Sequence, residues 1–120
     1  MNNLIKIRVA AARARAIKKG IAFDLTTDFI KELYEQQNCK CKYTGKELLD
    51  TLTEDDLSDY RINDKAFSID RINSNAGYTK DNVVLVRTKI NLLKNDLPYL
   101  DFIDLIKSIY EHMDLKNFKK

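Results

Sequence analysis

Apolar residues recur along this chain with two different periods, and the change of period marks the change of element. Over residues 4–19, Leu4, Ile7 and Ala11 fall on one helical face, with Ala10, Ala14 and Ile17 extending the apolar surface. The segment is rich in Ala, Arg and Lys, all good helix formers, and Gly20 closes it as a C-terminal cap. Thr26 or Thr27 caps a second helix, with Asp28 in its first turn and Phe29, Ile30, Leu33 and Tyr34 as its apolar stripe to about Gln37. Cys39 to Gly45 reads as a turn-rich knuckle. Residues 46–64 read as a polar, acidic excursion holding one short helix.

The period then shortens to two. Phe67-Ser68-Ile69-Asp70-Arg71-Ile72 alternates as a half-buried strand does, and Asn73 to Gly77 is dense in turn formers. Val83-Val84-Leu85-Val86 is a second, β-branched strand. A helix carrying Ile90, Leu93 and Lys94 is expected from about Arg87 to Asn95. Pro98 suits the first turn of a last helix, whose Leu100, Ile103, Leu105, Ile106, Ile109 and Tyr110 form a broad apolar face. The order describes one α+β domain over residues 1–120: a basic helix and link over 1–25, a core over 39–95, and a C-terminal helix over 98–115.

Composition adds partners to this picture. The chain has 120 residues, 44% hydrophobic and 32% charged, with a net charge of +3. No apolar run approaches the roughly 20 residues that span a bilayer, and the N-terminus lacks the order of a secretory signal, so a cytoplasmic protein without a membrane partner is expected. Lys6, Arg8, Arg13, Arg15, Lys18 and Lys19 crowd the first helix before any acidic residue appears. Such an arm is either a phosphate-binding footprint or a solvated helix face. Cys39 and Cys41 are too close for an easy disulfide, and with one histidine they make neither a disulfide framework nor a four-ligand thiolate site.

The stretches Ser68-Ile69-Asp70-Arg71-Ile72-Asn73, Gly77-Tyr78, Asp81-Asn82-Val83 and Ile90-Asn91-Leu92-Leu93-Lys94 resemble the HNH endonucleases, particularly small phage and mobile-element members. Residues 13–20 and Cys41-Lys42-Tyr43-Thr44-Gly45 extend the likeness over most of residues 10–110. The resemblance implies a ββα-metal core, a strand hairpin and helix around one divalent cation, with flanking helices at both ends. It implies a metal-dependent DNA endonuclease or nickase acting on phosphodiester bonds, and by its phage members a protein working in a host cytoplasm. Asp70 and Asn91 match the metal ligands and Asn82 the residue that supports the hairpin. Mg²⁺ or Mn²⁺ suits one carboxylate and one amide oxygen, since hard cations take oxygen donors and complete their shell with water and phosphate.

Taken one at a time, these residues have plainer readings. Asp70 suits an Asx turn, Asn82 a loop, and Asn91 an exposed helical position.

Arg71 stands where the family most often has its general-base histidine. An arginine cannot take a proton from water, though it can hold a phosphate. Three outcomes stay open: metal-activated water without a side-chain base, substitution by Tyr78 or Tyr43, or a catalytically inactive DNA-binding module. The lone His112 lies far along the last helix and reads as a partner of that helix's C-terminal dipole. Thr44, Arg87 and Ile90 replace the family's other zinc-knuckle cysteines, so no structural zinc is expected. Lys80, Arg87, Lys89 and Lys94 flank the asparagines and, with Arg13, Arg15, Lys18 and Lys19, are candidate contacts to the phosphates of duplex DNA. No dimer-forming helix is evident, so a monomer is expected. A weaker alternative function is a protein adaptor using the acidic stretch Glu54, Asp55, Asp56 and Asp59.

Overall fold

The computed structural model describes residues 2–52 and 64–113. The acidic stretch at 54–59, the short helix expected within 46–64, and residues 114–120 lie wholly or largely outside them.

The chain enters through a two-residue strand β1 (Asn2–Asn3) that pairs antiparallel with β2 (Thr51–Leu52). Helix α1 follows at once (Leu4–Lys19). Its end is a Schellman closure: Gly20 N–H donates to Ile17 O and Ile21 N–H to Ala16 O, with Gly20 at φ 66°. Only glycine enters that left-handed region without strain. The buried face of α1 is Leu4, Ile5, Ala12 and Ala16, which corrects the face expected from Ile7, Ala10, Ala14 and Ile17. Ile17 is 72% exposed. The small Ala12 and Ala16 let α1 approach its neighbours closely, a choice that apolar periodicity alone does not make.

Helix α2 (Thr27–Gln36) is capped by Thr26, whose Oγ1 accepts from Phe29 N–H at 3.0 Å, and it buries Ile30. The knuckle that follows is closed by backbone bonds, Cys41 N–H to Lys46 O and Gly45 N–H to Cys41 O. Part of the expected excursion is ordered pairing instead: Lys40 bridges Glu47, and Leu49 bridges Ala66.

At the centre, β3 (Phe67–Arg71) and β4 (Val83–Arg87) form an antiparallel hairpin in which Asp70 opposes Val84 and Phe67 opposes Arg87. The alternation in β3 predicts a half-buried strand, yet all five residues are buried. Helices cover both faces, α1 packing on β3 and α3 (Thr88–Lys94) crossing the hairpin. The polar positions of β3 therefore face protein rather than water: Ser68 Oγ meets Thr88 Oγ1 at 3.2 Å, and Asp70 meets Lys94. The last helix α4 (Tyr99–His112) starts after Pro98 and buries only Phe102. Its broad apolar face is real but largely uncovered, with Leu100 75% and Tyr110 67% exposed. This is an α+β architecture with an HNH-like hairpin-plus-helix core.

Candidate functional site

Strand β3 and helix α3 meet at Asp70. Its carboxylate is buried and fully engaged: Oδ1 accepts from Lys94 Nζ at 3.1 Å, and Oδ2 from the Tyr43 hydroxyl at 2.8 Å. Lys94 is completely enclosed and donates also to Arg71 O at 3.0 Å. Burying an ion pair carries a desolvation cost, and these further hydrogen bonds from Tyr43 and to Arg71 O offset part of it. Tyr43 is wedged against Tyr99 and Phe102. Burial, its hydrogen bond to Asp70 and the charge of that carboxylate push its pKa far above the ordinary phenol range. The hydroxyl therefore stays protonated, and Tyr43 is not a base in this arrangement.

Next to Asp70 opens a cavity of about 240 Å³. Its wall contains Asp70, Arg71 and Asn91, with Arg15 and Lys19 on the side formed by α1. The register of α1 explains the last two. Arg8, Ala12, Arg15 and Lys19 follow at spacings of four, three and four, so the stripe that packs on the sheet also delivers cations to the cavity. Arg8 sits deeper, its Nε donating to Phe67 O at 2.8 Å. Asp70 and Asn91 are oxygen donors of the kind a hard divalent cation takes, and the cavity has room for water and phosphate oxygens. But Lys94 and Tyr43 already hold the Asp70 oxygens, and Arg15, Lys19 and Arg71 line the same space.

Arg71 reaches across the hairpin loop. Its Nη1 donates to Ser74 O at 2.9 Å and Ala76 O at 3.0 Å, and its guanidinium lies 4.9 Å from the centre of the Tyr78 ring. Asn82 braces the same loop from the other end. Its Oδ1 accepts from Asn73 N–H at 2.9 Å, and its Nδ2 donates to Asn73 O at 3.1 Å and Gly77 O at 2.8 Å. Gly77 is required where the loop crosses the chain before α2, because a Cβ there would lie 2.4 Å from Ala22 O.

The other basic candidates disperse. Lys94 lies beneath the cavity rather than on its surface, so it cannot touch a phosphate without leaving Asp70. Arg87 is held by Asp64 and Glu47 O. Lys80 stands over the Phe29 ring, and Arg13 lines a separate groove with Val9, Ile17 and Phe23. Lys18 and Lys89 are exposed and are not among the residues lining the cavity. Sequence reasoning missed Asp96 and Asn95, which complete the cavity wall just past α3 and follow no periodic pattern. It also missed the structural use of Tyr43.

Arg87 N–H points at Cys41 Sγ at 3.4 Å. Burial pushes the Cys41 thiol up, but hydrogen bonds from Thr44 and from the backbone of Arg87, Thr44 and Tyr43 outweigh it and leave the pKa lowered. Among the described residues no three His, Cys, Asp or Glu side chains gather as a metal cluster. No described helix is long and apolar enough to cross a membrane.

No protein-family model matches the chain. An uncharacterised 29.0 kDa protein from the dda-modA intergenic region of Enterobacteria phage T4 is 29% identical over 100 residues, covering 83% of this chain. Uncharacterised protein R423 of Acanthamoeba polyphaga mimivirus is 34% identical over 96 residues, or 78% of this chain. The chain spans only 36% of the phage relative and 14% of the mimivirus one. Among solved structures, the rare-cutting HNH restriction endonuclease PacI, which perturbs DNA, superposes with a TM-score of 0.59 over 96% of this chain and 82% of PacI, at 17% identity.

Proposed function

We propose that this chain is a metal-dependent DNA endonuclease or nickase of the HNH type, hydrolysing phosphodiester bonds. The carrying observation is that Asp70 and Asn91, delivered by β3 and α3 of an HNH-like core, share one cavity with Arg15, Lys19 and Arg71. Asp70 and Asn91 are the residues to hold Mg²⁺ or Mn²⁺, which when bound polarises the phosphate and stabilises the departing 3′ oxygen. Arg15 and Lys19 bind the backbone of duplex DNA as cations that position without reading sequence. Arg71, anchored on one side by Ser74 O and Ala76 O, turns its remaining donors toward the scissile phosphate. Asn82 keeps that anchor in place by fixing the loop.

The test is supercoiled plasmid incubated with protein and Mg²⁺ or Mn²⁺ beside the Asp70→Asn variant. Nicking by the natural chain and none by the variant is the expected result. Equal nicking by both sinks the catalytic assignment.

A second reading rests on the same geometry. Arg71 cannot act as a base, and Tyr43 is held protonated by its burial and by its bond to Asp70. A chain that binds DNA without cutting it would show affinity falling with salt at a log–log slope of about 0.9 per phosphate contacted. It would cut only after Arg71→His.

A further inference from the structure

The cavity is charged the wrong way for a free cation. Arg15, Lys19 and Arg71 line it against Asp70 and Asp96, and Lys94 lies directly behind Asp70. The Lys94 ammonium, 3.1 Å from Oδ1 and wholly enclosed, already neutralises the one carboxylate nearest the metal position. The Tyr43 hydroxyl occupies the other oxygen. We infer that Lys94 is the resident counter-cation of Asp70, a positioning residue that aims the carboxylate while keeping the divalent metal out until a phosphodiester arrives. This inference rests on the proposed metal site and adds the order in which that site fills.

The argument is electrostatic. A divalent ion held by Asp70, whose Oδ1 lies 3.1 Å from the ammonium, would face it across about 5 Å, and even with the screening of bulk water their repulsion would lower affinity roughly tenfold. A buried setting screens less. A phosphate group entering beside Arg15, Lys19 and Arg71 adds negative charge where the metal needs it. Metal and DNA then strengthen each other's binding by the same factor, as linkage requires. Lys94 stays in place throughout, because leaving would take from Asp70 Oδ1 and the Arg71 carbonyl the donor they share.

The experiment reads Mn²⁺ binding to the full chain from the loss of the free-ion electron paramagnetic resonance signal, with Asp70→Asn as background. Without DNA, the natural chain is expected to bind no Mn²⁺ above background, whereas Lys94→Met binds at least tenfold tighter. Adding a short mixed-sequence duplex is expected to bring the natural chain to measurable binding. Lys94→Gln, which keeps a hydrogen-bond donor and removes the charge, serves if Lys94→Met does not fold, judged by circular dichroism. The inference is overturned if the DNA-free natural chain binds as tightly as with the duplex, or if folded Lys94 variants bind no tighter. It is equally overturned if the duplex leaves affinity unchanged. Absence of Mn²⁺ above background in every protein, with and without DNA, overturns the metal site itself, so the two failures are distinguishable.

Discussion

Removing the Asn82 side chain tests how the site is held. Asn82→Ala deletes three hydrogen bonds, one accepted from Asn73 N–H and two donated to Asn73 O and Gly77 O. Each such bond has a net worth of about 1 kcal/mol, and the Gly77 carbonyl, whose bond is buried, loses a partner that solvent does not readily replace. A loss of about 3 kcal/mol follows, a large share of the roughly 5–15 kcal/mol that holds a domain of this size. In urea, with a slope of about 1–1.5 kcal/mol per molar, the unfolding midpoint read by far-ultraviolet circular dichroism drops by about 2–3 M. Asn82→Asp sharpens the test. The introduced carboxylate faces the two carbonyl oxygens that the amide nitrogen served, and only its protonated form can donate to one of them. Its pKa in the folded chain is therefore raised above the unfolded value of about 3.9. Its stabilising contribution is present below that value and lost as pH rises through the folded pKa. The deficit relative to the natural chain thus widens between about pH 4 and pH 7. A loss below about 1 kcal/mol in Asn82→Ala, or a pH-independent deficit in Asn82→Asp, would refute the claim that this amide organises the loop.

Three further outcomes follow from the same contacts. Gly77→Ala drives a Cβ to 2.4 Å from the Ala22 carbonyl, and the backbone shift it forces costs about 2 kcal/mol in a thermal or urea melt. Asp70→Ala leaves the enclosed Lys94 ammonium uncompensated and costs about 3–5 kcal/mol, whereas Asp70→Asn retains an acceptor and costs less, so the second is the sounder catalytic control. Tyr43→Phe loses one hydrogen bond to a carboxylate, about 1.5–3 kcal/mol. Because the folded-state pKa is raised, the stability Tyr43 contributes is fully present below about pH 10 and is lost only as pH climbs through the raised value. The pH profile of any cleavage is accordingly the same in Tyr43→Phe as in the natural chain, and loss in the variant of a rise in rate with pH would make that phenol the base after all.

Local pattern carried much of this protein into view from the chain alone. The β3–β4 hairpin, the turn-rich loop between its strands and the helix after it all follow from apolar period and turn chemistry, which act over a few residues. The Gly20 and Thr26 caps are legible for the same reason. Asp70, Asn82 and Asn91 come into view as a set only through the resemblance to the HNH endonucleases, whose motifs fall in that order along strand, loop and helix. Tertiary structure decided which faces close. Alternation in β3 marks Ser68 and Asp70 as polar but does not say that α3 covers them, and this covering turns Asp70 from an exposed carboxylate into half of a buried pair. The periodicity of α1 offers two plausible apolar faces, and contact with β3 and α2 selects the one that carries Arg15 and Lys19 to the cavity and leaves Arg13 behind. Lys94, read along the chain as one more phosphate-seeking cation, lies enclosed. A charge's partner is set by distances across the fold, and spacing along a helix does not contain them.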